Sequence, residues 1–119
     1  MMNDLSDRLL VFSVNIIKMS RKFDNTIENR IIKNQLIKSA TSAGANYEES
    51  QGASSTLDFT NKVKISLKEM RESNYWLKIL DQTISSSERP PELTELIDES
   101  GQLKRILGAI CSKKSSRNN

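Results

Sequence analysis

The stretch DLSDRLLVFSVNIIKMSRKF, residues 4–23, sets how the rest of the chain is read. Leu5, Leu9, Phe12, Ile16, Met19 and Phe23 recur at alternating steps of four and three, so they line one face of an amphipathic helix. Leu10 and Ile17 are expected to widen that core-facing stripe. The next residues, DNTIEN, break the period, and Asn25 or Thr26 can cap a second helix.

The same spacing continues outward. Between residues 27 and 50 the stripe is Ile32, Leu36, Ala40, Ala43 and Tyr47, thinning from leucine to alanine. QGASSTLD closes this segment, with Gly52 as its stop and Ser55 or Thr56 as the cap of the third helix. From about residue 57 to 84, Phe59, Val63, Leu67, Met70, Asn74, Leu77 and Ile84 mark an inner face, with Trp76 and Leu80 beside it. SSSERPP ends the third segment, and Pro90 or Pro91 suits the first turn of a fourth. Leu93, Leu96, Ile97, Leu103, Leu107 and Ile110 form that helix's stripe; its acids lie early and its bases late, as the helix dipole favours. Four long helices joined by short loops predict an all-α, antiparallel up-down-up-down four-helix bundle. Residues 1–112 make its single domain, and residues 113–119 are expected to be a flexible polar and basic tail.

Composition agrees. The chain has 119 residues, enough for one core, and only 4 glycines and 2 prolines, too few breakers for a many-turned β fold. Its net charge of +3 permits contact with nucleic acid without requiring it. A lone cysteine, Cys111, excludes an intrachain disulfide and reads as a small buried hydrophobe. The N-terminal stretch lacks the continuous apolar run of a signal peptide or a spanning helix, so we expect a cytoplasmic protein with no membrane partner.

Within the second helix lies LIKSATSAGANYEES, residues 36–50, and the third contains DFTNKVKISLKEMRESNYWLKIL, residues 58–80. On these motifs the chain resembles the 23S rRNA intervening-sequence protein family, whose members are also called four helix bundle proteins. The likeness covers helices two and three residue by residue and the whole chain in length and helix order. It implies a left-handed bundle and a homopentamer. A related group serves diversity-generating retroelements and binds nucleic acid through a basic surface. One departure is visible: Ser50 and Gln51 precede Gly52 where the family often has glycine sooner, which lets helix two run slightly further.

Small residues let a neighbouring helix approach closely. Gly44 lowers helix propensity by about 1 kcal/mol relative to alanine, so a compensating contact is expected there. Ala40, Ala43, Gly44 and Tyr47, with Tyr75 and Trp76, are therefore candidates for helix packing inside the subunit or for an interface between subunits. Asn46, Glu49, Glu69, Arg71 and Glu72 are candidates for a polar cluster between helices two and three that sets register. A di-metal bundle site would need Glu-x-x-His pairs, and the chain has 0 histidines, so no metal or other cofactor is expected. Serines without a histidine to activate them, and the lack of any phosphate-binding glycine motif, argue against an enzyme.

The basic residues remain. Residues 79–100 hold 6 acids and 1 base, so acids segregate away from the lysines. Lys62, Lys64 and Lys68 on helix three, with Arg21 and Lys22 at what is expected to be the neighbouring end of helix one, are candidates for contact with RNA or other nucleic acid. Lys62 borders the core stripe and is expected to snorkel from it. Tyr47, Tyr75 and Trp76 read as core-bound or interfacial, so no stacking platform is expected and binding should follow charge more than sequence. The other function class is a protein scaffold or accessory module whose partner is another protein.

Overall fold

A computed structural model describes residues 4–118, with side chains as far as residue 113. Four helices occupy it: α1 Leu5–Ser20, α2 Ile27–Ser50, α3 Thr56–Thr83 and α4 Glu92–Asn118. Each of the first three begins on a side-chain cap. Asp4 accepts from the Asp7 amide, Thr26 from Asn29 and Ser55 from Asp58, which satisfies donors that a helix start leaves free. Between the two cap candidates offered at each start, Thr26 and Ser55 are the caps used. Pro90 and Pro91 lie immediately before α4, and the Leu93 amide bonds the Pro90 carbonyl at 3.1 Å. Gly52 does not take the left-handed conformation of a glycine stop. Instead α2 ends on Gln51, whose amide reaches Glu48 and Glu49, and Gly52 bonds Glu49 in the same tightened turn. Helix α4 continues through the segment expected to be a tail, as far as Asn118; residue 119 lies outside the described residues.

The helices alternate in direction, as their side-chain pairs show. On the α1/α2 seam Ser13 meets Ala40, and a Cβ added at Gly44 would meet Leu9. Across α2/α3, Ser39 faces Ser73, Ala43 faces Ser66 and Glu49 faces Lys62. Arg8 of α1 and Lys22 in the turn after it reach Glu99 and Glu92 of α4 respectively. In each seam one number rises as the other falls. Neighbours in sequence pack together and α1 closes on α4, while among the described residues the diagonal helices, α1 with α3 and α2 with α4, stay apart across the core. The result is an elongated bundle, 50 × 29 × 19 Å.

Its core is the expected stripe set: Leu9, Phe12, Ile16 and Met19; Leu36, Ala40 and Ala43; Val63, Met70 and Leu77; Leu93, Leu103 and Leu107. Cys111 is buried beside them, and burial raises its thiol pKa despite the opposing charges of Lys64 and Arg71. Leu10 departs from expectation. It is 63% exposed, because a position one step from the core residue Leu9 turns about 100° out of the interior. No described helix is long and apolar enough to cross a membrane.

Candidate nucleic-acid interface

One side of the small-residue stretch packs inside the subunit, while Thr41 and Ala45 stay exposed. Ala40 and Ala43 are fully buried, and their carbonyls accept hydrogen bonds from the two helices that flank α2. Ser13 of α1 donates to Ala40 at 3.0 Å, and Ser66 of α3 donates to Ala43 at 2.7 Å. A serine hydroxyl reaches another helix's backbone only if no bulky side chain stands between them, which is what alanine and glycine provide. Ser39 and Ser73 add a buried hydroxyl pair at 2.7 Å on the α2/α3 side. Gly44 is close to α1 without being crushed: an added Cβ would lie 3.7 Å from Leu9 and Ser13, an ordinary contact. Tyr47 is partly buried against the core, and burial raises its pKa, with Asp4 and Glu48 adding to the effect.

The expected polar cluster between α2 and α3 does not assemble. Glu49 does ion-pair with α3, but through Lys62 at 2.9 Å and not through Arg71. Helix register is the reason. With Glu49 level with Lys62, Arg71 lies nine residues further on, about 13 Å along the axis. Asn46 turns back to Ser42 on its own helix, and Glu72 accepts from the Trp76 indole at 3.4 Å. Glu69 gives only its backbone carbonyl, to Ser73. Among the described residues no acid, cysteine and histidine grouping could hold a metal ion.

The five basic candidates separate. Lys22 pairs with Glu92 where α1 ends, whereas Lys62 pairs with Glu49 near the start of α3, at the opposite pole. The two ends expected to be neighbours are therefore far apart: α3 finishes at the same pole as α1, but Lys62, Lys64 and Lys68 belong to its first half. Glu49 raises the Lys62 pKa through their hydrogen bond, so this lysine answers an acid of its own chain. Arg21 lines a different hollow, between α1 and α2, with Arg30 and Lys33.

Lys64 and Lys68 are exposed, and they belong to a longer row. Lys64, Lys68, Arg71, Tyr75 and Lys78 stand at steps of four, three, four and three, each one residue after a core-stripe position. The row follows the seam with α4, where Arg71, Asn74, Tyr75, Lys78, Lys104, Arg105 and Gly108 line a groove of about 560 Å³. Neither the four cations of the groove, Arg71, Lys78, Lys104 and Arg105, nor Lys64 and Lys68 further along the row form an ion pair with a described residue. Asn74 forms the floor. It is 4% exposed, donates to Ser100 at 2.7 Å, and accepts from Lys104 at 3.4 Å. Gly108 keeps the α4 wall low, since nothing lies within 4 Å of where its Cβ would be.

Of the two expectations for the aromatics, core-bound or interfacial, Tyr75 does not meet the first. It is 58% exposed in this cationic groove, while Trp76 packs against the core. Their adjacency put them about 100° apart; the missed signal was that Tyr75 shares the lysine row, one step off the core. The other surface of note lies between α1 and α2. Leu10, Ser13, Thr41, Gly44, Ala45 and Glu48 help line a mainly apolar hollow of about 350 Å³, with Val14 exposed one turn beyond Leu10.

With this geometry in hand, comparisons with known proteins give one consistent result. A family model described as 23S rRNA-intervening sequence protein matches residues 3–109. A crystal structure of a protein of unknown function from the S23 ribosomal protein family of Bacteroides thetaiotaomicron VPI-5482 is similar, at 31% identity and a TM-score of 0.77. That similarity covers 91% of this chain and 98% of the other. No curated protein matches.

Proposed function

The chain belongs to the 23S rRNA-intervening sequence protein family, and from that premise we propose that it is a cytoplasmic, non-enzymatic homo-oligomer that binds RNA or other nucleic acid through the α3/α4 groove. One observation carries the reading: four cations line the groove, Lys64 and Lys68 continue the row on α3, and none of the six forms an ion pair with a described residue. Paired lysines are poor phosphate ligands, because an existing partner must first be displaced. Unpaired ones hold counterions that a phosphate backbone releases. This revises the expected surface, keeping Lys64 and Lys68 and replacing Lys62, Arg21 and Lys22 with Arg71, Lys78, Lys104 and Arg105.

Fluorescence anisotropy with unrelated RNAs at about 50 mM salt tests it. Affinity should fall as salt rises, with a slope of roughly −0.7 to −0.9 per contacted phosphate on a double-logarithmic plot. Lys64→Glu with Lys68→Glu should weaken all the RNAs alike, whereas Arg21→Glu with Lys22→Glu should change little. Binding that survives the first pair moves the interface elsewhere. No binding at low salt favours a protein scaffold, for which the specific support is the apolar hollow around Leu10 and the neighbouring exposed Val14. The family resemblance makes a pentamer the oligomer to look for.

A further inference from the structure

The α3/α4 groove contains more than charge, and what it contains bears on the kind of strand it accepts. We infer that its ligand is a single-stranded nucleic acid, with a base stacked on Tyr75 and the flanking phosphates held by Arg71 and Lys78 on one wall and Lys104 and Arg105 on the other. The inference rests on the nucleic-acid reading above and narrows it.

Tyr75 is the reason. An aromatic ring 58% exposed is not held by the core of its own subunit, and here it stands between Arg71 and Lys78 in a row of cations. Its ring meets the Trp76 ring edge-on, at 5.4 Å between centroids and 67° between planes. That contact restrains Tyr75 from one side, and the indole is itself tied to Glu72 and packed against the core. A restrained exposed ring loses little freedom when a base settles on it, and every base has a face to offer. Bases inside a duplex are already stacked on one another and offer no such face.

Dimensions agree. The row from Lys64 to Lys78 extends about 21 Å at the rise of an α-helix, enough for a few nucleotides. Helix axes pack roughly 8–10 Å apart, so the seam is a narrow valley in which a single strand can settle, whereas a duplex would lie across the rim cations. The groove volume of about 560 Å³ is in the range that seats one small ligand. Lys104, held by the floor residue Asn74, and the low wall at Gly108 leave the side facing α4 open.

The experiment compares a labelled 12-nucleotide oligo-U with the same strand annealed to oligo-A, at equal salt, on wild-type protein, Tyr75→Ala and Tyr75→Phe. The single strand should bind at least about ten-fold tighter than the duplex. Tyr75→Ala should weaken the single strand by about five-fold or more, as loss of one stacked base predicts, and leave the duplex unchanged. Tyr75→Phe should retain wild-type binding. Trp76 is the only tryptophan in the chain, so its emission should respond to oligo-U and not to the duplex, a readout that needs no variant. Oligo-dT distinguishes DNA from RNA as the source of the strand; binding of either supports the inference. Equal affinity for strand and duplex, with no effect of Tyr75→Ala, overturns it while leaving the electrostatic reading intact. Failure of both to bind overturns the two together.

Discussion

Gly44 and Gly108 are both helical glycines, and they should answer substitution differently. Alanine is favoured over glycine in a helix by about 1 kcal/mol, and at either position a new Cβ has room. Gly44→Ala and Gly108→Ala are therefore both expected to raise the melting temperature. Leucine separates them. At Gly108 it extends into open space, whereas at Gly44 it grows against Leu9 and Ser13, where overpacking typically costs 1–3 kcal/mol. Gly44→Leu should thus melt below Gly44→Ala, and Gly108→Leu close to Gly108→Ala; equal behaviour at the two sites would show that α1 does not bear on Gly44. Ser66 offers a second test. Losing its bond to the Ala43 carbonyl in Ser66→Ala should cost about 1 kcal/mol by denaturant unfolding, while Ser66→Leu, which wedges α3 off α2, should cost more.

Each helix shows how far sequence periodicity reaches. The four apolar stripes were legible because a buried face leaves a period, and Leu9, Leu36, Met70 and Leu103 are where that period puts them. Pairing across seams left no such trace. Whether Glu49 meets Lys62 or Arg71 depends on how far one helix slides along another, which the loops and core side chains decide together. Lys22 and Lys62 looked like free cations because their acids, Glu92 and Glu49, are 70 and 13 residues away in the chain. The row at 64, 68, 71, 75 and 78 was legible in principle, since it repeats the core spacing one residue out of phase.

The α1/α4 seam carries a pH consequence. Lys22 lowers the Glu92 pKa below its ordinary value through their hydrogen bond, with help from the first-turn backbone. A carboxylate held below its unfolded pKa stabilises the fold above that value, and the contribution disappears as pH falls through the folded one. Lys22→Ala should therefore lower the melting temperature slightly at neutral pH, slightly because the pair is half-exposed. The two proteins should converge as pH drops below the carboxylate range. A constant gap from neutral to acid pH would show that the lysine acts through packing alone.

Assembly of the whole molecule turns on which apolar surface is left over. In the small-residue stretch, where Thr41, Gly44 and Ala45 line the open hollow beside Leu10, Ala40 and Ala43 are not left over, since both their neighbours are in the same subunit. Leu10 and Val14 on α1 are, and they stand one turn apart on the outer face. Light scattering coupled to size exclusion should give several times the 13.5 kDa chain mass. Leu10→Glu with Val14→Glu should reduce it, and Tyr75→Ala should not. A monomer at tens of micromolar would argue against self-association, and a mass unchanged by the paired glutamates would move the contact off α1.

Cys111 gives the bundle a clock. Its sulfur is enclosed by the core near the far end of α4, and that enclosure raises its pKa, so the thiol is both hidden and held in its unreactive, protonated form. An alkylating reagent then reacts mainly during the moments when α4 peels from α3, and the labelling rate reports how often that happens. A strand lying along the groove would lengthen the interval between openings.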